Sequence, residues 1–176
     1  MPKTSCHVAL FRNNKQEILL TLRRDYPVWV MPGGRKNKNE TNEEAAIREV
    51  FEETGLHIKI TNLVATYEKA KTHKKKLLFT GEIESGEMAL SNETKDIRWF
   101  NVNELPFNIL RYEANRIYDA KNFNGTPIEK EYFIDYKTEL NHLIKRPAFA
   151  IYLVAKYAIK KRRRLMKRVF PKHKAP

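Results

Sequence analysis

The sequence predicts an α+β domain, a mixed β-sheet with helices packed on its faces. Two apolar stretches near the start are separated only by turn residues, so they form a hairpin. Strand patterns outnumber helical ones, which disfavours a doubly wound parallel sheet. The chain has 176 residues, and a chain of that length buries roughly 70% of its unfolded surface without disulfide or metal staples.

Residues 5–11 and 17–23 read as strands, joined through Arg12, Asn13 and Asn14. A short apolar stretch from Trp29 to Met31 runs into Pro32-Gly33-Gly34, read as a loop. A helix over 42–54 is predicted by Thr41 with Glu44 three residues on, a capping box. Gly55 then Leu56 supplies its stop. Residues 57–67 and 76–84 read as strands joined by a lysine-rich turn, and 96–100 as another strand. Helical periodicity covers 108–121, and 127–136 is ambiguous. Further helices are expected at 137–145 and, after Pro147, at 148–169.

The net charge of +13 is unevenly placed. Residues 141–176 hold 12 Lys/Arg and no Asp or Glu, which leaves the first 140 residues at +1. The expected organisation is a nearly neutral domain over 1–140 and a basic helical extension over 141–176. No stretch approaches the ~20 apolar residues that span a bilayer, and the N-terminus lacks the apolar core of a signal peptide. Cys6 is the only cysteine, which excludes a disulfide framework and a cysteine zinc site and fits a reducing cytoplasm. The five histidines, His7, His57, His73, His142 and His173, lack metal-ligand spacing.

On a wheel of about 100° per residue, Glu49, Glu52 and Glu53 share one face of the 42–54 helix. Ile47, Val50, Phe51 and Thr54 lie opposite and are expected to dock on the sheet. Three neighbouring carboxylates repel one another. Either the face is solvated or a hard cation offsets the repulsion. Mg2+ is such a cation, because it takes oxygen ligands and bridges carboxylates to substrate phosphates.

The spacing chooses between these readings. Gly34, Glu40 and the run Arg48-Glu49-Val50-Phe51-Glu52-Glu53-Thr54-Gly55-Leu56 resemble the complete signature box of the Nudix hydrolases. Trp29 to Gly34 looks like that family's lead-in. Glu93, Trp99, Phe100 and Glu104-Leu105-Pro106 look like its closing strand and the segment after it. The resemblance covers roughly residues 5–106. It implies a Nudix-type α/β/α sandwich on a mixed sheet, to which the C-terminal helices are additional. It also implies hydrolysis of a nucleoside diphosphate linked to another group, with Mg2+ or Mn2+. Glu49, Glu52 and Glu53 match the family's metal ligands, and Arg48 matches an arginine that orients a glutamate. Gly33 lies where a backbone carbonyl often joins the metal shell.

Cleaving a pyrophosphate bond needs water in line with phosphorus and neutralised phosphate oxygens. Glu52 is a catalytic candidate on this reading. The sequence departs from the family where some members place a glutamate just before the closing-strand tryptophan, because that position is Arg98. Glu93 and Asp96 are the available substitutes, and Glu93 is taken as the candidate. Arg23, Arg24 and Gly34 are candidate substrate contacts. The arginines either grip a phosphate bidentately or form a surface pair. Trp29 either stacks on a base or belongs to the core. The lysines at 69–76 either keep a hairpin tip soluble or funnel phosphates towards the site.

Within this reading a nucleoside triphosphate, oxidised or not, competes with a nucleotide sugar, a dinucleotide or a capped RNA end. The 108–121 helix with Phe123, Gly125 and Tyr132 after it loosely resembles the tail of the family's triphosphate pyrophosphatases. One rival is a Nudix-fold sensor that binds a nucleotide without cleaving it. The other is an adaptor acting through the tail. There Ile151, Val154, Ala155, Ala158, Leu165, Met166 and Val169 recur at helical spacing among lysines and arginines. Such a helix over 147–176 suits RNA or an anionic membrane surface, the latter making a cytoplasmic protein peripheral to the membrane. Alternatively it docks on the domain with a solvated basic face.

Overall fold

A computed structural model describes residues 3–69 and 73–131, and further on residues 150, 151, 154, 155, 158 and 159. β1 (Thr4–Arg12) and β2 (Glu17–Arg23) form the expected hairpin. Asn13, Asn14 and Lys15 in its turn have φ between 51° and 62°, the left-handed conformation that asparagine tolerates better than most residues. β3 (Trp29–Val30) pairs with β2, and β4 (Gly33–Arg35) pairs with the start of β1. The Pro-Gly-Gly stretch is therefore partly strand rather than loop. The glycines allow this, because a Cβ on Gly33 would stand 2.2 Å from the Cys6 carbonyl oxygen.

α1 (Asn42–Thr54) starts at the predicted capping box and ends at Gly55, whose φ is 75°. Its buried stripe is Ala45, Ala46, Val50, Glu53 and Thr54, whereas Phe51 is 46% exposed. The expected docking of Phe51 on the sheet is corrected. It lies at the edge of the apolar arc, and its ring rests on His57 at 4.5 Å.

β5 (His57–Lys69) and β6 (Lys74–Ser85) make a long antiparallel pair. The lysine-rich turn is thus shorter than the sequence suggests. Lys76 leaves it altogether, with its Nζ 5.0 Å from the Tyr112 ring centre and burial pushing its pKa down to about 8. β7 (Thr94–Asn101) pairs with β2. α2 (Arg111–Lys121) begins three residues later than its periodicity. The backbone before it is engaged elsewhere, since the Asn108 carbonyl accepts from the Trp29 N–H and the Asn108 amide donates to Pro27. β8 (Ile128–Glu131) lies parallel to β5 and gives the first part of the ambiguous 127–136 segment a strand. The helix expected at 137–145 lies outside the described residues. So does that at 148–169, apart from the six residues named above, all of which are helical. The chain divides into two units, Met1–Asp135 and Tyr136–Pro176.

β1 runs parallel to β6, from Thr4 opposite Lys75 to Leu10 opposite Gly81, while its other neighbours are antiparallel. The sheet is mixed, as the sequence predicts. Both faces are covered. Cys6, Val8, Leu10 and Leu19 join α1 in one core, and Ala9, Ile18, Leu20 and Leu78 join α2 in the other. That accounts for the nearly continuous apolar run of β2, since a strand buried on both faces loses the polar alternation.

A buried ion pair ties α2 to the segment before β4. Glu113, 1% exposed, accepts the Met31 N–H through Oε1 at 2.9 Å and the Arg116 guanidinium through Oε2 at 2.9 Å. Nearby, burial and the charges of Arg116 and Lys76 hold the His7 pKa well below its usual value, which keeps the imidazole neutral. Glu113→Ala leaves a buried guanidinium without its counter-charge, so it should cost about 3–5 kcal/mol in urea unfolding. Replacing Glu113 and Arg116 together by leucine and methionine should cost less than that single change.

Candidate active site

α1, β4 and the loop before β7 enclose one cleft of about 460 Å³. Gly33, Gly34 and Arg35 form one wall, Glu49, Glu52 and Glu53 the second, and Ser91, Asn92 and Glu93 the third. The three helix glutamates that the wheel places together do face one cavity. Gly34 leaves room for this arrangement, since a Cβ there would fall 2.2 Å from Glu49 Oε2 and push that carboxylate aside. The Gly33 N–H donates to Glu53 Oε2 at 3.0 Å.

The repulsion among these carboxylates is offset by Arg48. Its Nη1 donates to Glu49 Oε1 and to Glu52 Oε2, both at 2.9 Å. Its Nε and Nη2 grip Glu40 at 2.9 and 2.8 Å, and Nη2 also reaches the Arg35 carbonyl at 3.0 Å. This bidentate grip holds the Glu40 carboxyl down at about 2 and raises the pKa of Arg48. Burial raises Glu49, against the pull of Arg48. Burial also pushes Glu53 up to about 7, opposed by the Gly33 N–H and helped by Glu49.

Glu93 faces this cluster from the opposite wall, close enough for its charge to act on Glu49, Glu53 and Arg23. Asp96, the other substitute for the missing glutamate, lies outside the cleft wall and pairs with Arg98. Arg23 is engaged bidentately by Asp25 at 2.9 and 3.0 Å, within electrostatic reach of Glu53. Arg24 donates through its guanidinium to the Ser91 and Thr94 carbonyls and through its backbone N–H to the Glu93 carbonyl, so it holds the loop that carries Glu93. Trp29 is 6% exposed and stacks edge-on against Phe100 at 4.7 Å, in the core rather than on the cleft wall. Sequence reasoning gave no part to Arg35, Ser91 or Asn92. The 86–92 segment is irregular and carries no periodic signal.

Oxygen donors of this kind suit a hard divalent cation. Among the described residues no three His, Cys, Asp or Glu side chains converge as a ready ligand set. The reason is visible, because Glu49 and Glu52 are turned onto Arg48, and Glu53 onto Gly33. Glu52, with 55% of its side chain exposed, is the freest to rotate.

The fold and this cleft define a hydrolase class built on a glutamate-bearing helix. The NUDIX domain model matches residues 1–120, and the chain belongs to the Nudix family. It is 38% identical over 111 residues to a Bacillus subtilis protein named "Putative 8-oxo-dGTP diphosphatase", covering 62% of this chain and 74% of that one. It is 33% identical to an ADP-ribose pyrophosphatase of Methanocaldococcus jannaschii, covering 60% and 65% respectively. An ADP-ribose pyrophosphatase structure from Streptococcus suis shares the fold, with TM-score 0.62 and 23% identity over 75% of this chain and all of that one. No described helix is long and apolar enough to cross a membrane.

The raised pKa of Glu53 makes stability pH-dependent. A carboxyl whose folded pKa lies above its unfolded value stabilises the fold below the unfolded value, and that contribution is lost as pH rises through the folded one. In protein stripped of metal, stability should therefore fall by up to about 3 kcal/mol between pH 4.5 and 7 from this group. Glu53→Gln should flatten that stretch of a pH-resolved chemical denaturation profile.

Proposed function

We propose that this protein hydrolyses the pyrophosphate bond of a nucleoside diphosphate derivative with a bound divalent cation, Mg2+ or Mn2+. The observation that carries the reading is one cleft holding Glu49, Glu52, Glu53 and Glu93 against the Gly33-Gly34 strand. Glu49, Glu52, Glu53 and the Gly33 backbone would hold the cation, which would neutralise phosphate oxygens and lower the pKa of water. Glu93 faces them across the cleft and takes the proton of the attacking water. Arg48 holds Glu49 and Glu52 on the cleft side of α1, and Gly33 holds Glu53. Arg23, once released by Asp25, offers a bidentate fork to a phosphate. A sensor without catalysis is disfavoured, since every carboxylate of the helix face is present and addresses the cleft.

The relatives' names cover an oxidised nucleoside triphosphate and ADP-ribose, and both are diphosphate derivatives. Release of phosphate, pyrophosphate or nucleoside monophosphate across triphosphates, nucleotide sugars, dinucleotides and 5′-triphosphate RNA would name the preferred one. On that substrate Glu52→Gln and Glu53→Gln should each lower kcat at least 100-fold, on the scale of lost charge stabilisation. Thermal unfolding should change little in Glu52→Gln and should not be lowered in Glu53→Gln, which removes a buried charge. Near-full activity in both variants would remove the assignment. Activity should persist after deletion of residues 147–176, since every cleft residue lies upstream.

We further propose that the extension takes a polyanion. Ile151 and Val154 are 69% exposed and Ile159 50%, at helical spacing in a segment without acidic residues. An exposed apolar stripe flanked by cations favours an anionic lipid surface, at about 1 kcal/mol per basic residue near it. The protein should sediment with vesicles rich in anionic lipid and ignore neutral ones, and replacing Ile151, Val154 and Leu165 by serine should abolish this. Binding to RNA that survives those replacements would assign the tail to nucleic acid instead.

A further inference from the structure

The loop between β4 and α1 borders a second groove, of about 820 Å³, that the proposed hydrolysis leaves unused. It is lined by Lys3, Arg35, Lys36 and Lys38, interleaved with asparagine amides, and among the described residues no carboxylate lines it. The acids near by are engaged. Glu40 is held by Arg48, and Glu44 accepts the Thr41 N–H as half of the capping box. Four cationic side chains therefore line the groove, of which Lys36 lies within electrostatic reach of Glu44 and Arg35 also borders the acidic cleft.

Its backbone is fixed. The Lys36 N–H donates to Thr4 O at 3.1 Å, the Asn37 N–H donates to Glu40, and Arg48 Nη2 donates to Arg35 O. The lysines thus project from an anchored segment, which lowers the entropy that an anion must overcome to bind. Arg35 lines both cavities, so the basic groove adjoins the acidic cleft across this side chain. The carboxylate cleft suits a cation-bridged diphosphate. The groove suits phosphates that carry no such bridge.

We propose that the groove over Lys3, Arg35, Lys36 and Lys38 binds further phosphate groups of the substrate, beyond the scissile diphosphate. This rests on the pyrophosphohydrolase reading for the location of that diphosphate. Clustered phosphates come from two sources, a polyphosphate chain or the phosphodiester backbone of an oligonucleotide.

The test is equilibrium binding of inorganic tripolyphosphate and of a 5′-triphosphate oligonucleotide to the full chain in EDTA. There the acidic cleft repels anions, so it contributes little to either affinity. K3Q/K36Q/K38Q should weaken binding of at least one probe 10-fold or more, and the loss should shrink as salt rises. K59Q/K95Q/K130Q removes equal charge from β5, β7 and β8 and should weaken it less than 2-fold. K38E alone, at an exposed position, should weaken binding more than K38Q. Tighter binding of the oligonucleotide, lost with the lysines, names a nucleic acid as the source. Equal binding of the two probes names a phosphate chain. Equal losses in both triple variants, or none in the first, would overturn the groove.

Steady-state kinetics separate the two readings. With Mg2+, K3Q/K36Q/K38Q should keep kcat/KM for ADP-ribose within 2-fold and raise KM at least 5-fold for the probe that bound. A wild-type chain that hydrolyses nothing would end the proposed activity while the EDTA comparison still judged the groove.

Discussion

Like charges held a few ångströms apart on one helix face need a permanent counterweight, and Arg48 is that counterweight. Its single guanidinium meets Glu40, Glu49, Glu52 and the Arg35 carbonyl. Glu40 lies before α1 and Arg35 at the end of β4, so one side chain fixes the helix, the loop and the strand together. The arrangement also sets how each carboxylate behaves. Glu40 is held ionised and unavailable, Glu49 and Glu52 are positioned, and Glu53 is left to a backbone N–H. Repulsion that would open the face in isolation becomes a preformed acidic wall.

The second constraint is close approach. β4 can lie on β1 only with glycine at 33, and a side chain at 34 would push the Glu49 carboxylate from its present place. The two residues therefore place the backbone and the carboxylates on opposite walls of one cleft. The same strand leads into the basic loop, so acidic cleft and basic groove are consecutive in sequence as well as in space. α2 supports the strand from behind through the Glu113–Arg116 pair and the Met31 N–H.

Much of this was legible because it is local. The hairpin, the capping box, the Gly55 stop and the shared face of Glu49, Glu52 and Glu53 depend on residues close in sequence, and all appear in the structure. The features that the sequence did not disclose depend on distant partners. Strand pairing for Gly33 and Gly34 needs β1. The outward position of Phe51 depends on where the sheet lies under α1. Arg24 reads like a phosphate ligand, but its donors meet carbonyls almost seventy residues on. Nothing local in the sequence marks Glu113 and Arg116 as buried, because their burial depends on the sheet beneath α2.

The central proposal is that the glutamate wall of α1, held in place by Arg48 and Gly33, takes up a divalent cation. Titration of the full chain with Mn2+, monitored by electron paramagnetic resonance of the free ion, measures it without reference to any substrate. The account predicts saturable binding that weakens at least tenfold in Glu49→Gln and in Glu53→Gln, with the fold retained, and that tightens from pH 5 to pH 8 as Glu53 loses its proton. Mn2+ binding that is unchanged in both variants would contradict it.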